Sequence, residues 1–267
     1  MNAYLFDVDG VILDQETKQV TEPEILTYLY EILKRGNILT FNTGRAFKGT
    51  EEKILTPLLE MTENKSLFKH VFVSCEMGNV IATHKDGAWD KKVLDDPFPT
   101  PLQNEIKKMI DEGFSESMFY DDSKETMISI EVKEGFDLGV YAKRQEELYE
   151  KVSELLLSDK YLPLGFKIGR NKIAIDIQYD DAGKHLGAER IEDWLLEEKL
   201  KPETLCMIGD NSSDSEMAEE LQSKYTVIFV FVNEKAKLNT DRLMCEIIFT
   251  KEKYTKGTLE FLKSQLA

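Results

Sequence analysis

The sequence predicts an α/β fold: a Rossmann-like core built on a parallel sheet, split by an inserted, smaller α+β domain. Short apolar runs alternate with segments of helical periodicity towards both ends of the chain, which is the pattern of βαβ units. The middle of the chain instead combines helical segments with strands of alternating polarity. At 267 residues and 42% hydrophobic composition, the chain suits one large domain or two modest ones with a sizeable core.

The first part of the core begins at once with an apolar strand. Pro23 suits the first turn of the helix that follows, and Gly36 ends that helix. The predicted elements here alternate between strand and helix, at residues 3–8, 22–36, 37–44, 47–59 and 70–76.

The pattern changes after this point. Residues 83–101 are rich in turn-forming residues, and the block that follows predicts two helices and three strands, at 101–114, 125–135, 137–158 and 164–179. The alternation of helix and strand then returns, with predicted elements at 184–200, 204–210, 213–222 and 225–232. We therefore predict a core of residues 1–82 and 181–267 and an inserted α+β domain over 83–180.

The charge and composition of the chain limit the classes of partner that it can bind. The net charge of −16 argues against broad contact with a nucleic-acid backbone but allows a small phosphorylated substrate. No segment approaches the ~18 apolar residues of a membrane span. The three cysteines form no CxxC pair, which favours free thiols in a reducing compartment. We expect a cytoplasmic monomer or homodimer that binds neither nucleic acid nor membrane.

Polar residues follow three of the predicted core strands. Asp7 and Asp9 end the first strand, Thr43 and Gly44 end the second, and Asp210 ends the strand at 204–210. One helical turn later stands Asp214. Because ligands of open parallel sheets bind outside the carboxyl ends of the strands, these strand ends are the predicted site.

The residue types suit a metal and a phosphate. Carboxylates such as those of Asp7, Asp9 and Asp210 are the oxygen ligands that Mg²⁺ prefers. If the first strand ends at Asp7, the side chain of Asp9 is free to point away from the metal. The Thr43 hydroxyl, the backbone N–H groups at Gly10 and Gly44 and the ammonium of Lys184 suit phosphoryl oxygens.

Several residues have more than one interpretation. Asp7 and Asp9 taken alone are compatible with a simple turn. Lys172, in a strand pattern of the insertion, is the alternative to Lys184 as the lysine that contacts phosphate. Lys184 is preferred because it lies at the start of a helix, where the chain resumes the core. Asp214 taken alone suits the first turn of a helix, where it compensates the helix dipole. Arg45 is expected to pack or pair locally.

Four motifs together resemble the haloacid dehalogenase superfamily. "FDVDGVI" is similar to its DxDG(T/V) motif, "FNTGR" to the second motif, "GKHLG" to the lysine motif and "IGDNSSDSEM" to the GDxxxD motif, in the family's order. The resemblance implies that Asp7 is a nucleophile and metal ligand and that Asp9 is a general acid/base with its carbonyl on the metal. Thr43 and Lys184 would hold the phosphoryl group. Asp210 would ligate Mg²⁺, and Asp214 would ligate it or orient its water.

The position of the insertion refines the resemblance. A cap between the second and lysine motifs, preceded by "CEMGNVI", resembles the Cof-type sugar-phosphate phosphatases, although Ser213 stands where those usually have Asn. The resemblance implies a Mg²⁺-dependent phosphatase that acts on a small phosphorylated metabolite, expected to be a sugar phosphate, through an aspartyl-phosphate. The alternatives are a phosphomutase and a catalytically silent binding protein on the same fold.

Overall fold

The structure is a computed structural model that describes residues 1–94 and 97–266. The chain divides into two compact units: Met1–Leu94 together with Gly183–Ala267, and Asp95–Ala182. The first unit contains an eight-stranded, largely parallel sheet, and the second contains a four-stranded antiparallel sheet. The predicted fold class, a parallel α/β core with a smaller α+β part, is therefore confirmed.

Strands and helices alternate through most of the described residues. The strands are β1 (Ala3–Phe6), β2 (Ile38–Asn42), β3 (Val71–Cys75), β4 (Val80–Lys85), β5 (Ala88–Val93), β6 (Met118–Tyr120), β7 (Ile128–Val132), β8 (Phe166–Arg170), β9 (Ala174–Tyr179), β10 (Leu205–Gly209), β11 (Val227–Phe231) and β12 (Glu246–Phe249). The helices are α1 (Glu24–Lys34), α2 (Phe47–Thr50), α3 (Thr56–Glu60), α4 (Thr100–Gly113), α5 (Leu138–Leu156), α6 (Lys184–Glu197), α7 (Ser215–Leu221) and α8 (Tyr254–Leu266). A π-helical turn, Glu51–Leu55, joins α2 to α3.

The order of strands in the core sheet is β12-β11-β10-β1-β2-β3-β4-β5. The six strands from β12 to β3 run parallel, and β4 and β5 form an antiparallel hairpin at the edge. In the centre, Phe6 of β1 lies opposite Ile208 of β10 and Phe41 of β2. The carboxyl ends of these three strands are therefore level, and the residues that follow them meet at one edge of the sheet.

β1 is buried on both faces because its side chains alternate. Tyr4 and Phe6 join a cluster with Ile25 and Leu29 of α1. Ala3 and Leu5 face the opposite side, where they join a cluster that includes residues of α6 and α7. A continuous apolar run is typical of such a strand, because helices cover both faces of a parallel sheet.

The second unit has a core of its own. Its strand order is β6-β7-β9-β8, and every pair is antiparallel. Ile106 and Ile110 of α4 and Leu148 and Val152 of α5 are buried against this sheet, at helical spacings of four residues. These residues form a hydrophobic cluster of their own within the second unit.

The structure and the predicted start of the insertion differ by about a dozen residues. The predicted boundary at residue 83 lies inside β4, and the second unit begins at Asp95. Asp86 and Gly87, both with positive φ, turn the chain between β4 and β5. Three of the six residues of β5 are charged and the strand is mostly exposed, so its sequence gives little indication of a strand. Asp95 and Asp96, in the segment predicted to be rich in turns, lie outside the described residues.

Candidate active site

A buried lysine lies at the centre of the predicted site. Lys184 is the first residue of α6, and its side chain is 6% exposed. Its Nζ donates to Asp7 Oδ1 at 2.6 Å and to the carbonyl of Asn42 at 2.7 Å, and it lies 2.9 Å from Asp214 Oδ1. One ammonium thus joins the ends of β1, β2 and the segment after β10.

Asp214 holds the loop that follows β10. Its Oδ2 accepts hydrogen bonds from the backbone N–H groups of Asp210 (3.0 Å) and Asn211 (2.9 Å), while Oδ1 contacts Lys184. Asn211 in turn accepts from the N–H of Ser213, which completes a reciprocal cap of this 3₁₀ turn. Both oxygens of Asp214 are therefore engaged in positioning the loop and the lysine.

Asp7, Asp210 and Asp214 form a buried acidic group. One ligand atom from each lies within 4.8 Å of the others. Burial raises the pKa of Asp7 to about 7, with Asp214 adding to the shift and Lys184 opposing it. Burial also raises the pKa of Asp210 to about 8, and the charges of Asp7 and Asp214 add to that shift. If all three carboxyl groups were ionised, the group would therefore carry more negative charge than its surroundings neutralise.

Lys184 is a cation at neutral pH. Burial alone would lower the pKa of Lys184, but the carboxylates of Asp214 and Asp7 outweigh that effect, and the pKa is raised. One ammonium nevertheless faces three carboxylates. Among the described residues, the side-chain hydrogen bond to Asp7 reaches its Oδ1 and the one to Asp210 reaches its Oδ2. This donor set fits a divalent cation that takes oxygen ligands, and Asp7 and Asp210 are the candidates to bind it because both oxygens of Asp214 are already engaged.

Asp9 lies apart from the acidic group. Lys18 Nζ donates to its Oδ1 at 3.1 Å, and Arg45 Nε donates to its Oδ2 at 3.0 Å. Its side chain is 32% exposed, whereas that of Asp7 is 11% exposed. Of the predicted metal ligands, Asp9 is thus the one whose carboxylate the structure does not bring to the others. Its backbone carbonyl remains the atom predicted to face the metal.

Thr43 and Gly44 follow the end of β2. Thr43 is 1% exposed, and its Oγ1 accepts the N–H of Arg45 at 3.1 Å, so its hydroxyl proton is available to another acceptor. A Cβ on Gly44 would come within 2.8 Å of Met77 Cε, so the Met77 side chain lies directly against this backbone. The backbone around Thr43 is therefore closely covered by the turn at Met77.

The turn at residues 76–78 connects the segments that carry Thr43 and Lys184. Glu76 and Met77 have positive φ values of 48° and 58°, which are uncommon for residues with side chains. Met77 donates its N–H to the carbonyl of Thr43 (3.2 Å) and accepts the N–H of Gly183 (2.9 Å). This strained turn thus connects the end of β2 to the start of α6.

Two contacts to the site were not predicted from the sequence. Gln15 donates to Asp210 Oδ2, and Lys18 to Asp9, both from the loop after the first motif. No spacing identifies them, because the contacts arise when the loop folds back over the strand end. Arg45, which was expected to pack or pair locally, pairs with Asp9, the predicted acid/base, 36 residues earlier in the chain. Lys172, the alternative to Lys184, is exposed in the second unit, between β8 and β9.

Other sequence expectations have simple outcomes. The three cysteines are free thiols, as expected. In the part of the chain that the structure describes, no helix has the length and apolar character needed to cross a membrane.

Comparison with known proteins identifies the fold. No family model and no curated protein matches the sequence. Among solved structures, the chain is similar to the C-terminal domain of trehalose-6-phosphate phosphatase from C. albicans (TM-score 0.67, 15% identity, covering 99% of this chain and 91% of that one). It is also similar to a haloacid dehalogenase-like hydrolase from Bacteroides thetaiotaomicron (TM-score 0.66, 13% identity, 99% of both chains).

A third similar structure carries a different activity. Truncated IMP-nucleotidase from Plasmodium falciparum matches with a TM-score of 0.58 and 14% identity, covering 99% of this chain and 70% of that one. At such identities the comparison establishes the architecture alone. The chain has the fold of the haloacid dehalogenase-like hydrolases, which confirms the fold that the four motifs predict.

Proposed function

We propose that this chain is a Mg²⁺-dependent phosphatase that hydrolyses a small phosphorylated metabolite, a sugar phosphate, through an aspartyl-phosphate on Asp7. The observation that carries the proposal is the buried contact of Lys184 with Asp7 and Asp214, beside Asp210, at the carboxyl ends of β1 and β10. A lysine and several carboxylates in one buried place suit phosphoryl transfer, which depends on positioning and charge stabilisation.

In the first half of the reaction, the Asp7 carboxylate attacks phosphorus. The bond between phosphorus and the leaving oxygen breaks, and that oxygen takes a proton from Asp9. The ammonium of Lys184, 2.6 Å from Asp7 Oδ1, supplies positive charge to the phosphoryl oxygens, and the Thr43 hydroxyl donates to one of them. The product is an acyl phosphate on Asp7.

In the second half, water attacks the phosphorus of the acyl phosphate. Asp9, now a carboxylate, accepts the proton of that water, and the bond between Asp7 and phosphorus breaks to release inorganic phosphate. The carboxyl groups of Asp210 and Asp214 lie beside Asp7, and Asp214 also fixes the loop that carries Asp210. When bound by Asp7 and Asp210, Mg²⁺ supplies the positive charge that one lysine cannot provide against both carboxylates and phosphate.

Sugar phosphates are the proposed substrates because one of the similar structures named above is a trehalose-6-phosphate phosphatase. Nucleoside monophosphates are the competing class. All of the proposed site residues come from one chain, so a monomer or homodimer suffices. The three free cysteines suit a reducing compartment such as the cytoplasm.

A phosphomutase is less well supported. Such an enzyme needs cations for a second phosphate, and the insertion would have to supply them. Its two arginines, Arg144 and Arg170, pair with Glu147 and Glu146 of the same unit. A silent binding protein is also less well supported, because every residue that the chemistry requires is present.

Phosphate release tests the proposal. Purified protein with Mg²⁺ is incubated with hexose phosphates, a disaccharide phosphate, inosine monophosphate and an aryl phosphate. We expect release of inorganic phosphate, fastest from a sugar phosphate, and its loss on chelation or in Asp7→Asn by at least about a thousandfold.

The matched control is Asp241→Asn, which makes the same change at an exposed position and should retain full activity. Robust turnover by Asp7→Asn would contradict the assignment of the nucleophile. Transfer of phosphate between positions of a sugar without net release would instead indicate the mutase.

A further inference from the structure

The loop of residues 14–19 contacts two carboxylates of the candidate site. Gln15 donates to Asp210, and Lys18 donates to Asp9 at 3.1 Å. Asp14 closes the loop: its Oδ1 accepts the N–H groups of Glu16 and Thr17 and the Thr17 hydroxyl. A short, mostly exposed segment therefore has a defined shape without apolar packing of its own.

The backbone at Lys18 is unusual. Its φ is 56°, in the left-handed region that residues with side chains rarely adopt. Its N–H bonds to the carbonyl of Asp14 at 3.0 Å, which holds it in that conformation. The ion pair of Lys18 with Asp9 adds little to the stability of the fold, because both side chains are about one-third exposed and such pairs contribute little. Strained residues of this kind concentrate at functional sites.

Lys18 and Arg45 together fix both oxygens of Asp9. Lys18, in the loop, donates a hydrogen bond to Oδ1 of Asp9. Arg45, in the segment after β2, donates one to Oδ2 at 3.0 Å. A carboxylate held at only one oxygen can rotate about its Cβ–Cγ bond, whereas one held at both oxygens keeps a single orientation. The orientation of Asp9 decides whether it can reach a leaving oxygen, because proton transfer requires hydrogen-bond distance.

We propose that Lys18 is a positioning residue, which with Arg45 sets the orientation of Asp9 for proton transfer to the leaving group. This inference rests on the proposed function. Lys18 itself touches neither the acidic group nor the reacting atoms; it acts through Asp9. Its effect should therefore depend on how much the leaving oxygen needs a proton.

The test is the rate of leaving-group release in a single turnover, with enzyme in excess, which reports the first half of the reaction alone. An alkyl phosphate needs the proton of Asp9, whereas dinitrophenyl phosphate expels a weakly basic phenolate and does not. We expect Lys18→Met to slow release from the alkyl phosphate by about tenfold to a hundredfold and from dinitrophenyl phosphate by less than about threefold. The apparent substrate affinity should change little for either substrate.

Three further variants complete the design. Lys18→Arg keeps a cation and should restore most of the alkyl rate. Lys48→Met removes an exposed lysine that pairs with Glu52 and should match the wild type with both substrates. The double variant Lys18→Met with Asp9→Asn should be no slower than Asp9→Asn alone, because both changes remove one function. Thermal unfolding of each variant verifies that it is folded.

Several outcomes overturn the inference. Equal slowing with both substrates, or additive effects in the double variant, would mean that Lys18 does not act through Asp9. A similar loss of affinity for both substrates would mean that it binds the phosphoryl group. If the wild type is active and Lys18→Met releases the leaving group at the same rate, this inference alone is wrong. If the wild type is inactive, both this inference and the proposed function are wrong.

Discussion

At the scale of single residues, the site combines groups that repel one another. Asp7, Asp210 and Asp214 are all buried, and Lys184 is the cation in contact with two of them. Burying an ion costs several kcal/mol, and one ammonium does not offset three carboxylates. Such perturbed groups are typical of functional sites, because a fold selected for stability alone would replace them.

This repulsion predicts a pH-dependent stability of the protein without metal. Because the pKa of Asp210 is raised to about 8, the folded state binds its proton more tightly than the unfolded state does. The contribution of Asp210 to the free energy of unfolding therefore falls as pH rises from about 4 to about 8. Asp210→Asn does not titrate, so in chelator its melting temperature should increasingly exceed that of the wild type over this range, by about 2–4 °C per kcal/mol relieved.

The comparison is made by thermal unfolding in chelator and in excess Mg²⁺, with Asp241→Asn as the exposed control. Excess Mg²⁺ should raise the melting temperature of the wild type more than that of Asp210→Asn, because the variant lacks one proposed ligand. A constant difference between variant and wild type at every pH would show that Asp210 is not destabilised by its charge.

At the scale of elements, the site depends on close contact between the end of β2 and the first turn of α6. Asn42 Nδ2 donates to the carbonyl of Lys184 at 2.7 Å, and Lys184 Nζ donates to the carbonyl of Asn42 at the same distance. A Cβ on Gly187 would come within 2.0 Å of Asn42 Oδ1. The glycine of the lysine motif therefore permits the approach that brings Lys184 to the strand ends.

Gly187→Ala tests this contact. The added methyl group must displace Asn42 or move α6 away from β2, so we expect a loss of about 1–3 kcal/mol in stability and a marked loss of phosphatase activity. Denaturant unfolding measures the first effect and phosphate release the second.

The matched control is Gly113→Ala in the last turn of α4, where a Cβ would meet nothing within 4 Å. It should be neutral or slightly stabilising and fully active, since alanine favours the helix. If Gly187→Ala behaved like Gly113→Ala, the contact of α6 with Asn42 would not position Lys184.

At the scale of the whole molecule, the candidate site is assembled from distant parts of the chain. Asp7 and Thr43 come from the first part of the core, and Lys184 and Asp210 from the part after the second unit. The parallel pairing of β1 with both β2 and β10 brings these parts together. The site therefore forms only when the two parts of the core assemble.

Sequence patterns predicted most of this arrangement. The alternating elements give the parallel sheet, and the strand-end polar residues Asp7, Thr43 and Asp210 follow from it, since parallel strands share one carboxyl edge. The hairpin of β4 and β5 was not predicted, because an exposed edge strand lacks the apolar pattern of a buried one. The contacts of Gln15 and Lys18 were not predictable, because they depend on how a loop closes in three dimensions.

The proposed reaction requires Asp7 to carry the phosphoryl group during turnover. The most direct measurement is an acid quench of the wild type during turnover with Mg²⁺, followed by borohydride reduction and peptide mass spectrometry. Borohydride reduces an aspartyl-phosphate to homoserine, so we expect homoserine at position 7 and at no other aspartate, and only when substrate is present. Turnover without modification at position 7, or modification at another aspartate, would contradict the proposed reaction.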